Sequence, residues 1–133
     1  MIAYHCDLNT ILQSPLANRE NNHRIRDYKF IMKRLADQGH QVDVQILDNE
    51  VSTDFKISIV DYWGETYQLV PPSLHQSNKA DRAICIFKAH FLSVVAGVDP
   101  AFPKFIWDNL LAQTELTLNL LRQATLNPRI LAW

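Results

Sequence analysis

The spacing of apolar residues changes several times along the chain, and each change predicts an element. Ile2 to Cys6 is a short β-prone run, and Thr10 to Leu12 restarts it after Asp7-Leu8-Asn9, whose Asp and Asn suit a tight turn. Together they predict a hairpin. From Arg19 to Gln38 the residues Ile25, Tyr28, Ile31, Met32, Leu35 and Ala36 recur at three and four, which predicts an amphipathic helix closed by Gly39. Val42, Val44 and Ile46 alternate with Asp43, Gln45 and Leu47, a pattern that predicts a largely buried strand ending in the polar turn Asp48-Asn49-Glu50. Ser52 is placed to cap a helix from Thr53 to Trp63 that Gly64 stops. Thr66 to Val70 reads as another short strand ended by Pro71-Pro72, and Ser73 to Ser77 as a loop.

Two helices follow. In Lys79 to Val98 a single stripe holds Ala80, Ala83, Ile84, Phe87, Phe91, Val94 and Val95, with Asn78 as N-cap and Asp81 in the first turn. After Asp99-Pro100 and Pro103, a last helix is expected from Lys104 to Gln123. Its Phe105, Trp107, Leu110, Leu111, Leu116, Leu118, Leu120 and Leu121 make more than one face apolar. A helix apolar over so wide an arc is buried on two sides. A second copy of the chain, giving a homodimer through this helix, is one cover; long loops or the remainder of a larger protein are the other.

Composition places the chain, at 133 residues with 47% hydrophobic and 20% charged, in the range of one globular domain over residues 1–133. No apolar stretch approaches the roughly 18 to 20 residues a membrane span needs, and no leader pattern opens the chain. An intracellular protein, cytoplasmic or nuclear, is the expectation. Cys6 and Cys85 lie far apart and outside any CxxC pair, so both are expected as reduced, buried side chains. The five histidines show no metal-ligand spacing.

Charge refines this picture. A net charge of -1 argues against a strong, free-standing nucleic-acid binder. The charge is unevenly spread, however. Arg19, Arg24, Arg26, Lys29, Lys33 and Arg34 crowd the first helix, whereas residues 37 to 65 carry seven acids against Lys56 alone. Either this is a solvated helix followed by an acidic surface, or a phosphate-facing helix beside a carboxylate cluster.

The order of elements carries further information: hairpin, helix, strand ending in Asp48, helix, strand, loop, then a long helix with Asp81 in its first turn. Onto that order fall Leu47-Asp48-Asn49-Glu50, Pro71-Pro72, and the run from His75 through Gln76, Ser77, Asn78, Lys79, Ala80, Asp81, Arg82 and Ala83 to Ile84. Asp99-Pro100-Ala101-Phe102-Pro103, Trp107-Asp108, Leu118 to Arg122 and Asn127-Pro128-Arg129 extend the match. In these motifs the chain resembles the integrase catalytic core of copia-type retrotransposon polyproteins, along nearly its whole length and most strongly after residue 46.

That resemblance implies an α/β fold of RNase H type, a mixed sheet with flanking helices, here lacking the first and central strand. It also implies a DDE polynucleotidyl transferase for DNA integration, with Mg²⁺ or Mn²⁺ as cofactor and DNA as a weak or vestigial partner. Two divalent ions about 3.5 to 4 Å apart can activate a hydroxyl and steady a leaving oxygen on phosphate, and they take hard oxygen ligands. Asp48 matches the second carboxylate position and Asp81 the third, with residues 49 to 80 between them. Asn49, Asn78, Lys79, Arg82 and Lys88 are the implied nucleic-acid contacts, and His75 and Gln76 could line the channel.

Two departures weigh against activity. Asp81 stands where the family has Glu, an arm shorter by one methylene, or about 1.5 Å. As the third residue after Asn78 it is equally the acid of a capping box favoured by the helix dipole. The first carboxylate has no counterpart on a preceding strand, as in a core truncated at its N-terminus and possibly its C-terminus. Asp7 is the one substitute, either a ligand or simply a hairpin-turn residue. An integrase core incompetent by itself is therefore the leading expectation. A non-catalytic dimerising or nucleic-acid-associating module, and another RNase H-like nuclease using Asp7, Asp48 and Asp81, are the alternatives.

Overall fold

Helix formation largely follows the predicted stripes, and Ser52 and Gly64 set the two ends of the helix between them. The computed structural model describes residues 1–48, 51–64, 66–71 and 79–132. In chain order the elements are β1 (Ile2–His5), β2 (Thr10–Gln13), α1 (Asn21–Asp37), β3 (Val44–Leu47), α2 (Thr53–Trp63), β4 (Thr66–Leu69), α3 (Lys79–Ala96) and α4 (Asn109–Leu120). This is a small mixed α/β fold with four helices and two small sheets among the described residues. β1 and β2 pair antiparallel, with Ile2 opposite Gln13 and Tyr4 opposite Ile11. β3 and β4 pair parallel, Val44 beside Thr66 and Leu47 beside Leu69. One mixed sheet was the expectation; the strands instead make two separate pairs, because no described strand bonds to both.

The residues fall into two compact units, Met1 with Leu16–Asn78, and Ile2–Pro15 with Lys79–Trp133. In the first, α1 buries Tyr28, Ile31, Met32 and Leu35, and α2 buries Phe55 and Ile59. Tyr28 and Phe55 meet edge to face with centroids 5.1 Å apart. The Ser52 side chain accepts a bond from Phe55 N–H at 3.4 Å, and Gly64 ends α2 at φ 65°, a left-handed conformation that glycine adopts without strain. β3 departs from its predicted burial. Gln45 and Leu47 turn inward, and Gln45 Nε2 donates to Met32 Sδ at 3.4 Å, while Val44 and Ile46 are 52% and 56% exposed. Strand alternation forces this, since a side chain and its neighbour cannot share a face.

In the second unit, Ile11, Ala83, Phe87 and Leu118 form the core, with Ile2, Tyr4, Phe91 and Leu111 packed around them. The hairpin therefore lies against both α3 and α4. The last helix begins at Asn109 rather than Lys104. Before it, residues 104–106 form a 3₁₀ turn, and Ile106, Leu110 and Leu111 N–H donate three residues back, to Pro103, Trp107 and Asp108 carbonyls. Its inward face holds Thr114, Glu115, Leu118 and Asn119, so a polar set is buried where the pattern showed only leucines. Cys85 is exposed on α3 and Cys6 half-buried, contrary to the expected burial of both. The reason is helical phase: Cys85 sits about 200° around the helix from both Ala83 and Phe87, which face the core. No helix among the described residues is long and apolar enough to cross a membrane.

Candidate functional site

β3 delivers Asp48 just past its C-terminal end, where the side chain is exposed. A strand end is a rigid mount for a carboxylate. Asp48 C=O also accepts from Val51 N–H at 3.3 Å. Asp81 occupies the first turn of α3 and is exposed, where an acid is favoured by the helix dipole. Asp48 belongs to the first unit and Asp81 to the second.

On α3, Lys79 and Arg82 are three residues apart and share a side, while Lys88 lies two turns beyond Asp81 on the side of Asp81. All three cations are exposed. Asn49, His75, Gln76 and Asn78 lie outside the described residues. So does the capping box proposed for Asn78 and Asp81.

Asp7 is exposed in the turn between β1 and β2, and its backbone has a structural task. Its carbonyl accepts from Thr125 N–H at 2.9 Å and from Leu126 N–H at 3.1 Å. Asn9, at φ 54°, anchors the same turn: its Nδ2 donates to Gln123 C=O at 2.8 Å, and its Oδ1 accepts from Tyr4 OH at 3.0 Å. Arg122 Nε donates to Asn9 C=O at 2.7 Å, its Nη2 donates to Asn9 Oδ1, and its guanidinium lies 5.8 Å from the Tyr4 ring centroid. The turn is thus stitched to the segment after α4.

Among the described residues, no three His, Cys, Asp or Glu side chains are grouped so as to hold a metal ion. Asp48 and Asp81 offer the hard oxygens that Mg²⁺ accepts. They do not by themselves make up the donor set a two-ion centre needs. Glu50, the acid nearest Asp48 in sequence, lies outside the described residues. On α1, Arg26 pairs with Asp27 at 3.0 Å and Lys33 with Asp37 at 2.8 Å, so part of the basic face is internally neutralised. Asp27, 3% exposed, keeps Oδ2 without a hydrogen-bond partner. The Met1 amine is held below its ordinary pKa by burial, with the Asp27 charge opposing that shift.

Two features lay beyond the sequence pattern. One is a shallow open groove of about 250 Å³ lined by Thr53, Lys56, Ile57, Val60, Asp61 and Tyr67. The other is the pair Glu115 and Asn119, an acid and an amide four apart in a helix otherwise rich in leucine, buried against partners that the helix pattern does not name. No family model, curated protein or solved structure matches the chain.

Proposed function

We propose that the chain is an RNase H-like core of the copia-type integrase class, in which the second and third carboxylate positions are filled by Asp48 and Asp81. In this reading its ancestral reaction joins a DNA 3′-hydroxyl to a target phosphodiester. The chain is not competent for that reaction alone. The observation that supports this best is a conjunction: an aspartate immediately after one strand of a parallel pair, and another in the first turn of the helix that follows the second strand. That is the order the motif resemblance calls for. DNA would meet Lys79, Arg82 and Lys88, and weak binding follows from a net charge of -1.

Metal-dependent stabilisation tests the reading. An ion that binds only the folded chain, present at ten times its Kd, stabilises it by about 1.4 kcal/mol. Titrating Mn²⁺ and Mg²⁺ should raise the Tm of the Asp81→Glu variant more than that of the unaltered chain, because the longer arm restores the family's donor. Asp48→Asn should abolish the response. If neither ion moves the Tm of the unaltered chain or of Asp81→Glu, the carboxylates are not a metal pair and the reading fails.

A second reading, a non-catalytic module that self-associates, is favoured by the apolar surface at the end of the last helix, where Leu121 is 79% exposed and Leu120 half-exposed. Sedimentation of Leu121→Lys against the unaltered chain separates the two. The module reading needs a dimer that this change dissolves.

A further inference from the structure

One edge of the hairpin is closed by side chains instead of by a strand. In an antiparallel pair, alternate residues turn their backbone N–H and C=O toward the partner and the others turn them outward. On β2 the outward residues include Ile11 and Gln13, and both are bonded to α4. Ile11 N–H donates to Asn119 Oδ1 at 3.0 Å, Asn119 Nδ2 donates to Ile11 C=O at 2.9 Å, and Gln13 N–H donates to Glu115 Oε2 at 2.8 Å. Asn119 therefore exchanges with Ile11 the two bonds that a residue of a neighbouring strand would exchange.

Geometry permits this because residues four apart on a helix rise about 6 Å, close to the roughly 6.8 Å between alternate residues of a strand. Asn119 is 0% exposed, and Ile11, Gln13 and Glu115 are buried with it, so these bonds are made away from water. A solvated surface residue could not be held this way.

We propose that α4 is a strand surrogate, and that its task is to keep the β2 edge from pairing with the β2 edge of a second copy. That edge is self-complementary. With two copies antiparallel about Leu12, Ile11 of each faces Gln13 of the other, and each such pair exchanges two N–H···O bonds in a closed two-fold arrangement. Natural edge strands usually resist such pairing with a charge, a proline or a bulge. Thr10-Ile11-Leu12-Gln13 contains no charge and no proline, and its register to β1 runs unbroken. Protection of this edge comes from Glu115 and Asn119.

The test compares Glu115→Ala/Asn119→Ala, the milder Asn119→Leu, and Leu118→Ala, which loosens the core around Ile11 but removes none of the hydrogen bonds to the edge. Sedimentation equilibrium gives the association state, and amide hydrogen exchange follows Ile11 and Gln13. Opening the edge should strengthen self-association at least tenfold in the double variant, with both amides protected at high concentration and exposed on dilution. Asn119→Leu should show the same at Ile11 and carries the test if the double variant fails to fold. If Asn119→Leu stays folded and no more associated than the unaltered chain while the Ile11 amide exchanges freely, the proposal is overturned. Equal association of Leu118→Ala also overturns it, because general loosening would then be the cause.

Discussion

At the scale of single residues, the buried Asn119 amide is more consequential than the exposed aspartates. An amide donates and accepts at once, and Ile11 needs both. Asn119→Asp keeps the acceptor for Ile11 N–H but, when ionised, sets an oxygen against Ile11 C=O. A buried acceptor left unsatisfied costs about 1–3 kcal/mol, more where charge is involved. Protonation would restore a donor, so the introduced carboxyl has a folded-state pKa above its unfolded value of about 3.9. The sign follows: its favourable contribution is fully present below that unfolded value and is lost as pH rises through the higher folded one. Denaturant unfolding should therefore show this variant near the unaltered chain at pH 3 and well below it at pH 7. A deficit that does not change with pH would mean the amide hydrogen is not what matters. None of this could be read from the position alone, because a polar residue in an apolar helix marks a buried bond only when its partner is known.

At the scale of elements, most boundaries were legible because the residues that end a helix do so by local chemistry. α2 illustrates this. Its start at Thr53 and stop at Trp63 coincide with the predicted span, set by Ser52 at one end and Gly64 at the other. The Ser52 bond is long, at 3.4 Å, whereas Gly64 holds a φ that costs any L side chain about 1 kcal/mol or more. Ser52→Ala should thus lose about 0.5 kcal/mol, at the low end for such caps. Gly64→Ala should lose more, by backbone conformation and not by contact, since an added Cβ meets nothing within 4 Å. Thermal denaturation of the two variants checks the order; Ser52→Ala as the worse of the two would refute it. The last helix was less legible. Leucines continue through residue 121, yet α4 stops at Leu120 because Arg122 turns back to Asn9, a long-range bond that no periodicity encodes.

At the scale of the whole molecule, the sequence indicated which residues are apolar but not how they divide. The strand before Asp48 and the helix that holds Asp81 were legible in the pattern, yet that pattern gave no sign that the two residues fall in separate compact units. Sequence spacing orders residues along a chain, and contacts between distant segments do the dividing: residues 2–15 pack with 79–133 across more than sixty intervening positions. Each unit has its own buried centre, Ile59 at 0% exposure in one and Phe87 at 3% in the other. Truncating a core aliphatic or aromatic side chain to Ala costs about 2–5 kcal/mol through lost burial and the cavity left behind. Phe87→Ala should accordingly accelerate amide exchange first in the hairpin, α3 and α4, and Ile59→Ala first in α1, α2 and the β3–β4 pair. The discriminating measurement is residue-resolved exchange under mildly destabilising conditions, which follows local as well as global opening. If both substitutions raised exchange uniformly across all eight elements, the two centres would be opening as a single cooperative core. The positions of Asp48 and Asp81 would then have to be understood within that one core.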